Sequence, residues 1–354
     1  MRFAPTDDQL ALRDAVRDLL AKECPPEVVR AAWPGGTDAH GARKGEGARA
    51  DADRVARVWS ALADMGVLGV AVPEAHGGLG LTELDWVLVA EETGYAAVPH
   101  PFVETAAVAA PLLAAVGDPE GLLPSVLDGS RPAGVLPLGT RLVPWGDAVT
   151  LLISIDLDPA TETFVARRVA SGVAKGDLRA LAEVVDAGRR TVLLEAWRAG
   201  DRLGTDADAA LAFDRGALGT AAQLVGLGRR MLDLTVGYVG ERRQFGVPIG
   251  SFQAVKHHLA DAALQLEFAG PAVHRAAWSL ATGAATTHRD VSMAKALASD
   301  AARLAGRAAL QCHGAIGYTT EYDLHLYLKR AEVLARTWGD AAWHRGRVAW
   351  ALAL

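Results

Sequence analysis

Apolar residues in the first third of the chain recur at helical spacing. Leu12, Val16, Leu19 and Leu20 share one helical face, and Val55, Val58, Trp59 and Leu62 share another. Thr6-Asp7-Asp8-Gln9 reads as a capping box for the first helix, with Thr6 as N-cap. The second helix ends near Gly66. Gly77-Gly78-Leu79-Gly80 marks a turn, because glycines so closely spaced break a helix, and Leu84, Val87, Leu88 and Glu91 restart the helical period. Between the two helices, Trp33 to Arg49 mixes glycine, alanine and charge and predicts a mobile loop.

The pattern changes after residue 130. Val149–Ile155, Thr163–Val169 and Thr191–Trp197 are short strand-like runs punctuated by Pro, Gly and Asp. Helical spacing returns near Thr205, and 208–240, 252–282, 287–312 and 321–351 predict four long, Ala-rich helices. The expected fold is therefore mainly α, with an N-terminal helical domain (1–130), a small middle β-domain (131–205) and a C-terminal four-helix bundle (206–354). Leu297, Leu304, Leu310, Leu324, Leu326 and Leu328 exceed one apolar stripe, so a dimer or tetramer through the bundle is expected.

Composition narrows the partners. With 354 residues the chain is too long for one core. A net charge of −6 argues against a nucleic-acid partner, which selects for a basic face. Cys24 and Cys312 cannot build a disulfide framework, which fits a reduced cytoplasm. The N-terminus has no apolar signal core, and no apolar run is long enough to span a bilayer. His257 and His258 are adjacent rather than one turn apart, and His313, His325 and His344 lack ligand spacing, so no metal site is expected.

Three motifs bear on function. Glu241-Arg242-Arg243-Gln244-Phe245-Gly246 runs on to Ser251-Phe252-Gln253. Met65-Gly66-Val67-Leu68-Gly69 leads through Pro73-Glu74 and Gly77-Gly78-Leu79-Gly80 to Glu91-Glu92. Gln311-Cys312-His313-Gly314-Ala315-Ile316-Gly317-Tyr318 is the third. In their order along the chain, from Met65 through Glu241 to Gln311, they resemble the acyl-CoA dehydrogenases, whose layout of helical domain, β-domain and four-helix bundle is the one read above. The resemblance implies FAD as cofactor and an acyl-CoA thioester as substrate. A glutamate would remove the α-proton, the flavin would take the β-hydrogen as hydride, and an electron-transfer flavoprotein would reoxidise it. It further implies that Arg242 contacts the FAD pyrophosphate, often across a subunit interface, where a guanidinium can pair with phosphate oxygens. Phe245 and Gln253 would lie on the adenine side, and Gln311 and Gly314 in a turn approaching a neighbouring subunit's FAD. Standing alone, Arg242 would read as a surface arginine and Phe245 as core packing, and Cys312 reads as a small buried hydrophobe.

The resemblance stops at the chemistry. Members carry two flavin-ring motifs in the middle domain, and the corresponding stretch here is Ala133-Gly134-Val135-Leu136-Pro137-Leu138-Gly139-Thr140. One family position for the glutamate falls on Trp338, in Thr337-Trp338-Gly339-Asp340, and the other falls on Gly216. An indole N–H only donates and cannot take a proton. Asp340 and Asp214 stand near these slots, but each also reads as a helix N-cap or a solvated carboxylate. The chain resembles the short, base-lacking subunits of actinobacterial heteromeric acyl-CoA dehydrogenases, which act on steroid side chains and other bulky acyl-CoAs. The resemblance therefore implies a homologous partner subunit that carries the base. A homo-oligomer with a displaced base and a scaffold that has lost FAD remain as alternatives.

Overall fold

The computed structural model describes residues 4–33, 46–169, 178–181, 184–195 and 199–353. Helices α1 (Asp7–Glu23), α2 (Pro26–Ala31), α3 (Glu46–Asp64), α4 (Glu83–Tyr95), α5 (Ala110–Ala115) and α6 (Leu123–Leu127) form the N-terminal part. The Thr6–Gln9 capping box is present, with both reciprocal bonds made. Of the loop expected from Trp33 to Arg49, residues 34–45 lie outside the described residues, and the last four residues already belong to α3. A π-helical stretch, Val103–Ala109, runs into α5 and is buried throughout.

The middle part holds two small sheets. Strands β1 (Ala133–Pro137), β3 (Leu151–Leu157), β4 (Phe164–Val169) and β7 (Ala199–Arg202) form one, and β2 (Leu142–Val143), β6 (Val192–Leu194) and β5 (Leu178–Ala180) the other. β1 pairs parallel to β3 and the remaining pairs are antiparallel. β3, β4 and β6 match the three expected strands, although residues 196–198 of the last run lie outside the described residues. β1 escaped the sequence reading because it is buried at all five positions and so shows no alternation.

Helix α7 (Asp206–Glu241) is the axis of the molecule, started by a reciprocal Thr205–Asp208 capping box. The hairpin β8 (Arg243–Gln244) and β9 (Val247–Pro248) follows, then α8 (Gln253–Ala281) and α9 (Thr287–His313). α4 crosses α7 at bare backbone. A methyl at Gly226 would stand 2.0 Å from the Glu91 carbonyl oxygen, and one at Gly94 2.2 Å from that of Gln223. Ion pairs flank the crossing: Arg215 to Glu83 at 2.7 Å, Arg17 to Glu92 at 2.7 Å, and Arg229 to Glu91.

The expected last helix, 321–351, is instead two: α10 (Leu324–Leu334) and α11 (Ala341–Ala351). Between them Trp338 (φ 62°) and Gly339 (φ 89°) adopt left-handed backbone, which ends any α-helix. The apolar surplus of the bundle coincides with the expected set only in part, at Leu297 and at half-buried Leu304, Leu310 and Leu328. Leu324 and Leu326 are in the chain's own core, while Val236, Leu264, Phe268, Met293, Leu297 and Trp350 are exposed. No helix among the described residues is long and apolar enough to cross a membrane.

Candidate functional site

The break between α10 and α11 places Trp338 on α7. Its side chain is buried and lies against Gly216, where a Cβ would stand 2.5 Å from Cζ2 of the indole. Phe213, one turn earlier on α7, meets the same ring edge-on at 5.7 Å. The two positions at which a glutamate was sought are thus one place in space, and the indole fills it.

The loop bearing Trp338 is held by its carbonyls. The Lys295 ammonium donates to the Ala335 and Gly339 oxygens at 3.2 and 3.0 Å and to Ser299 Oγ at 3.2 Å. Burial pushes this lysine down to about 7. His344 contacts the Trp338 oxygen through Nε2 at 2.9 Å, and burial lowers it to about 3, so it is neutral and donates there.

Both nearby aspartates already have partners. Asp340 is the N-cap of α11, accepting the Trp343 N–H at 2.8 Å, as its sequence context suggested. Asp214 is not the N-cap it resembled. It lies inside α7, fully buried, paired with Arg347 at 3.0 Å and with His288 Nδ1. That bond raises the His288 imidazole above its ordinary value, against partial burial.

Beside Trp338 a cavity of about 710 Å³ opens between the end of β1, the segment around Asp186 and the end of α10. Glu104 and Arg189 line it, and the sequence reading passed over both. Burial raises the Glu104 carboxyl, opposed by the Arg189 charge, and it lowers the Arg189 guanidinium.

The residues matched to FAD lie far away. Arg242 caps α7 at its C-terminus, about 26 residues and so about 39 Å along the helix from Gly216. The C-terminal ends of α7 and α9 meet there. Tyr238 stacks on His313 at 4.3 Å, and both rings contact Tyr322. This junction puts Arg242 and Gly314 at one end of the bundle. Phe245 and Gly246 form the two-residue tip of the β8–β9 hairpin, both with positive φ, as a type I′ turn requires. Phe245 is 93% exposed, so it is not core packing. Arg242, Gln253, Gln311 and Gly314 are exposed as well.

This surface suits an anionic dinucleotide. α8 begins without a side-chain cap at Phe252, leaving its first N–H groups and the positive helix end free for phosphate. Gly314 holds φ 63°, ψ −140°, a glycine conformation, and nothing lies within 4 Å of where its Cβ would be. Its own N–H is bonded to the Leu310 carbonyl, so what the turn offers is close approach of exposed backbone. Cys312 is buried and unpaired, and among the described residues no cluster of ligands could hold a metal.

Comparisons with known proteins agree with this architecture. Residues 206–353 match the family model of the acyl-CoA dehydrogenase C-terminal domain, and residues 6–121 that of the N-terminal domain. Over 337 residues the chain is 32% identical to acyl-CoA dehydrogenase IpdE2 of Mycolicibacterium smegmatis, covering 94% of this chain and 95% of that one. Among solved structures, the ChsE4-ChsE5 complex from Mycobacterium tuberculosis aligns with a TM-score of 0.81 at 25% identity, over 100% of this chain and 99% of its counterpart. Butyryl-CoA dehydrogenase from Megasphaera elsdenii shares the fold, with a TM-score of 0.78 at 21% identity over the whole of both chains.

Proposed function

The chain belongs to the acyl-CoA dehydrogenase family of flavin-dependent oxidoreductases, and we propose that it is the flavin-site-completing subunit of a heteromeric acyl-CoA α,β-dehydrogenase. One observation carries the reading: Trp338 packs on Gly216, so both family positions for the base are closed by one buried indole. Bound FAD would supply the hydride acceptor. This chain's part is to hold it from the far end of the bundle. Arg242 and the start of α8 would hold the pyrophosphate, Phe245 and Gln253 would serve the adenine side, and Gln311 and Gly314 would form the turn beside it. Arg242 stands about 39 Å along α7 from Gly216, which supports a role at a site shared with another chain. A homologous partner then supplies the base and most of the acyl-CoA pocket, and an electron-transfer flavoprotein takes the electrons. The likeness to a chain of the ChsE4-ChsE5 complex supports a two-subunit assembly.

Co-purification with its partner followed by a flavin absorbance count tests this. The expected result is a colourless lone chain without turnover, and a yellow, active complex. A second reading, an enzyme in its own right with a displaced base, draws on Glu104, a buried carboxyl raised by its burial beside the cavity. It requires turnover by the lone chain with an artificial acceptor, abolished by Glu104→Gln, Asp340→Asn or Asp214→Asn. A complex that forms without flavin would instead make the chain a scaffold.

A further inference from the structure

Arg189 is a buried guanidinium short of partners. Its side chain is 3% exposed, and its Nη2 stands 3.5 Å from Glu104 Oε1. Its one side-chain hydrogen bond among the described residues, from Nη1 to Thr337 Oγ1, is also 3.5 Å long. Nε and Nη2 have no hydrogen-bond partner among the described residues. The group lies 4.9 Å over the Trp145 ring, which fixes its plane but offers no acceptor in that plane. A guanidinium presents five N–H donors in a rigid fork, and a buried charge short of acceptors is costly. Arg330 nearby makes the contrast. It is equally buried, but Asp186 and the carbonyls of Ala97 and Val98 close it off. The under-satisfied arginine is the one that lines the cavity.

Val135, Pro137, Leu138, Leu142 and Val333 give the wall an apolar side, and Asp186, Glu332, Arg336, Thr140 and Thr191 line it as well. A volume of about 710 Å³ falls within the 300–1,000 Å³ usual for small-molecule sites. We infer that this cavity binds an amphiphile bearing a single carboxylate, with the carboxylate on Arg189 and the apolar body along Val135, Leu142 and Val333. The inference goes beyond the half-site role proposed above and needs no partner chain. Glu104 competes for the same guanidinium. Because burial raises its carboxyl, it yields Arg189 to an incoming anion by taking up a proton.

Calorimetric titration of the full-length chain, in whatever assembly it purifies, tests the site with decanoate and with uncharged decanamide. Decanoate is expected to bind, and Arg189→Gln to weaken it at least about ten-fold through loss of a charge-assisted pair. Decanamide should bind more weakly and be indifferent to that change. Glu104→Gln removes the competitor and should tighten decanoate, a gain that mere damage to the fold would not produce. Val333→Trp should abolish binding of both probes by filling the cavity. No binding of decanoate up to millimolar concentration, or equal binding by the wild type and Arg189→Gln, overturns the inference. Displacement of decanoate by FAD from the lone chain also overturns it, because the cavity would then be a flavin seat. Should Arg189→Gln fail to fold, Glu104→Gln decides alone, and an unchanged or weaker affinity for decanoate rejects the site.

Discussion

The indole of Trp338 rests on the bare backbone of Gly216, with Cζ2, Cε2 and Cη2 all within 2.6 Å of where a Cβ would be. One residue lies in helix α7 and the other in a left-handed break some 120 residues later. Each explains the other. Glycine removes the side chain that would exclude the ring, and the break between α10 and α11 turns the ring inward.

Gly216→Ala should therefore destabilise the fold. The added methyl meets a ring pinned by Phe213 and cannot be relieved by a flexible side chain, so overpacking of about 1–3 kcal/mol is expected. A chemical denaturation midpoint reads it directly. The loss should shrink in a Trp338→Leu background, and an undiminished loss there would mean that the methyl clashes elsewhere.

Arg242→Ala should leave the fold intact, since the side chain is exposed at a helix end. If Arg242 reaches a pyrophosphate, its loss removes charge-assisted bonds worth about 1.5–3 kcal/mol each. FAD should then bind the assembled complex about ten- to a hundred-fold less tightly. Flavin titration of the mutant complex showing wild-type affinity would reject this role.

The helical layout was legible because long amphipathic helices announce themselves by period, and α7, α8 and α9 fall within a few residues of expectation. Three features were not. The split of the last helix depends on the left-handed backbone of Trp338, which a tryptophan gives no reason to expect. Asp214 looked like a cap because Asp before an Ala-rich run usually is one, yet its partners His288 and Arg347 arrive from distant helices. Glu104 and Arg189 are far apart in sequence and belong to no motif, so only the fold brings them together.

Association through the bundle should bury the exposed apolar residues of α8 and α9. Leu264 and Phe268 lie one turn apart on α8, at 52% and 65% exposure. Light scattering should show a dimer or larger species at micromolar concentration, and Phe268→Glu should shift it toward monomer. A clean wild-type monomer would contradict the expectation.

The Asp214–His288 pair should make stability depend on pH. The imidazole is raised in the fold above its unfolded value of about 6.5, so the pair stabilises fully below that pH and the gain is lost as pH rises through the higher folded value. His288 is 60% exposed, so solvent screening keeps the effect small. Urea midpoints measured between pH 5 and 9 should fall more steeply for wild type than for His288→Gln. Parallel curves would show that the histidine contributes nothing to the slope.

Restoring the family's base by Trp338→Glu should not restore an enzyme. The new carboxylate would sit beside Gly216 and Phe213 in a space shaped for an indole, leaving a cavity and a buried charge together. Nearby, the buried Lys295 ammonium is already committed to the Ala335 and Gly339 carbonyls and cannot turn to neutralise it without releasing the loop. Burial would raise the glutamate's pKa, so much of it would be protonated near neutrality and unable to take an α-proton. General-base catalysis is worth about 10²–10⁴-fold, and none of it should appear in the lone variant. Adding a base-bearing partner to the wild-type chain should instead give turnover, and Asp340→Asn should leave that turnover unchanged because Asp340 is occupied as the N-cap of α11. Measuring acyl-CoA oxidation by the lone Trp338→Glu chain with an artificial acceptor decides the matter. Turnover well above the wild-type chain would show that the slot still faces a working flavin and substrate site, and that this subunit lost its catalysis through a single residue.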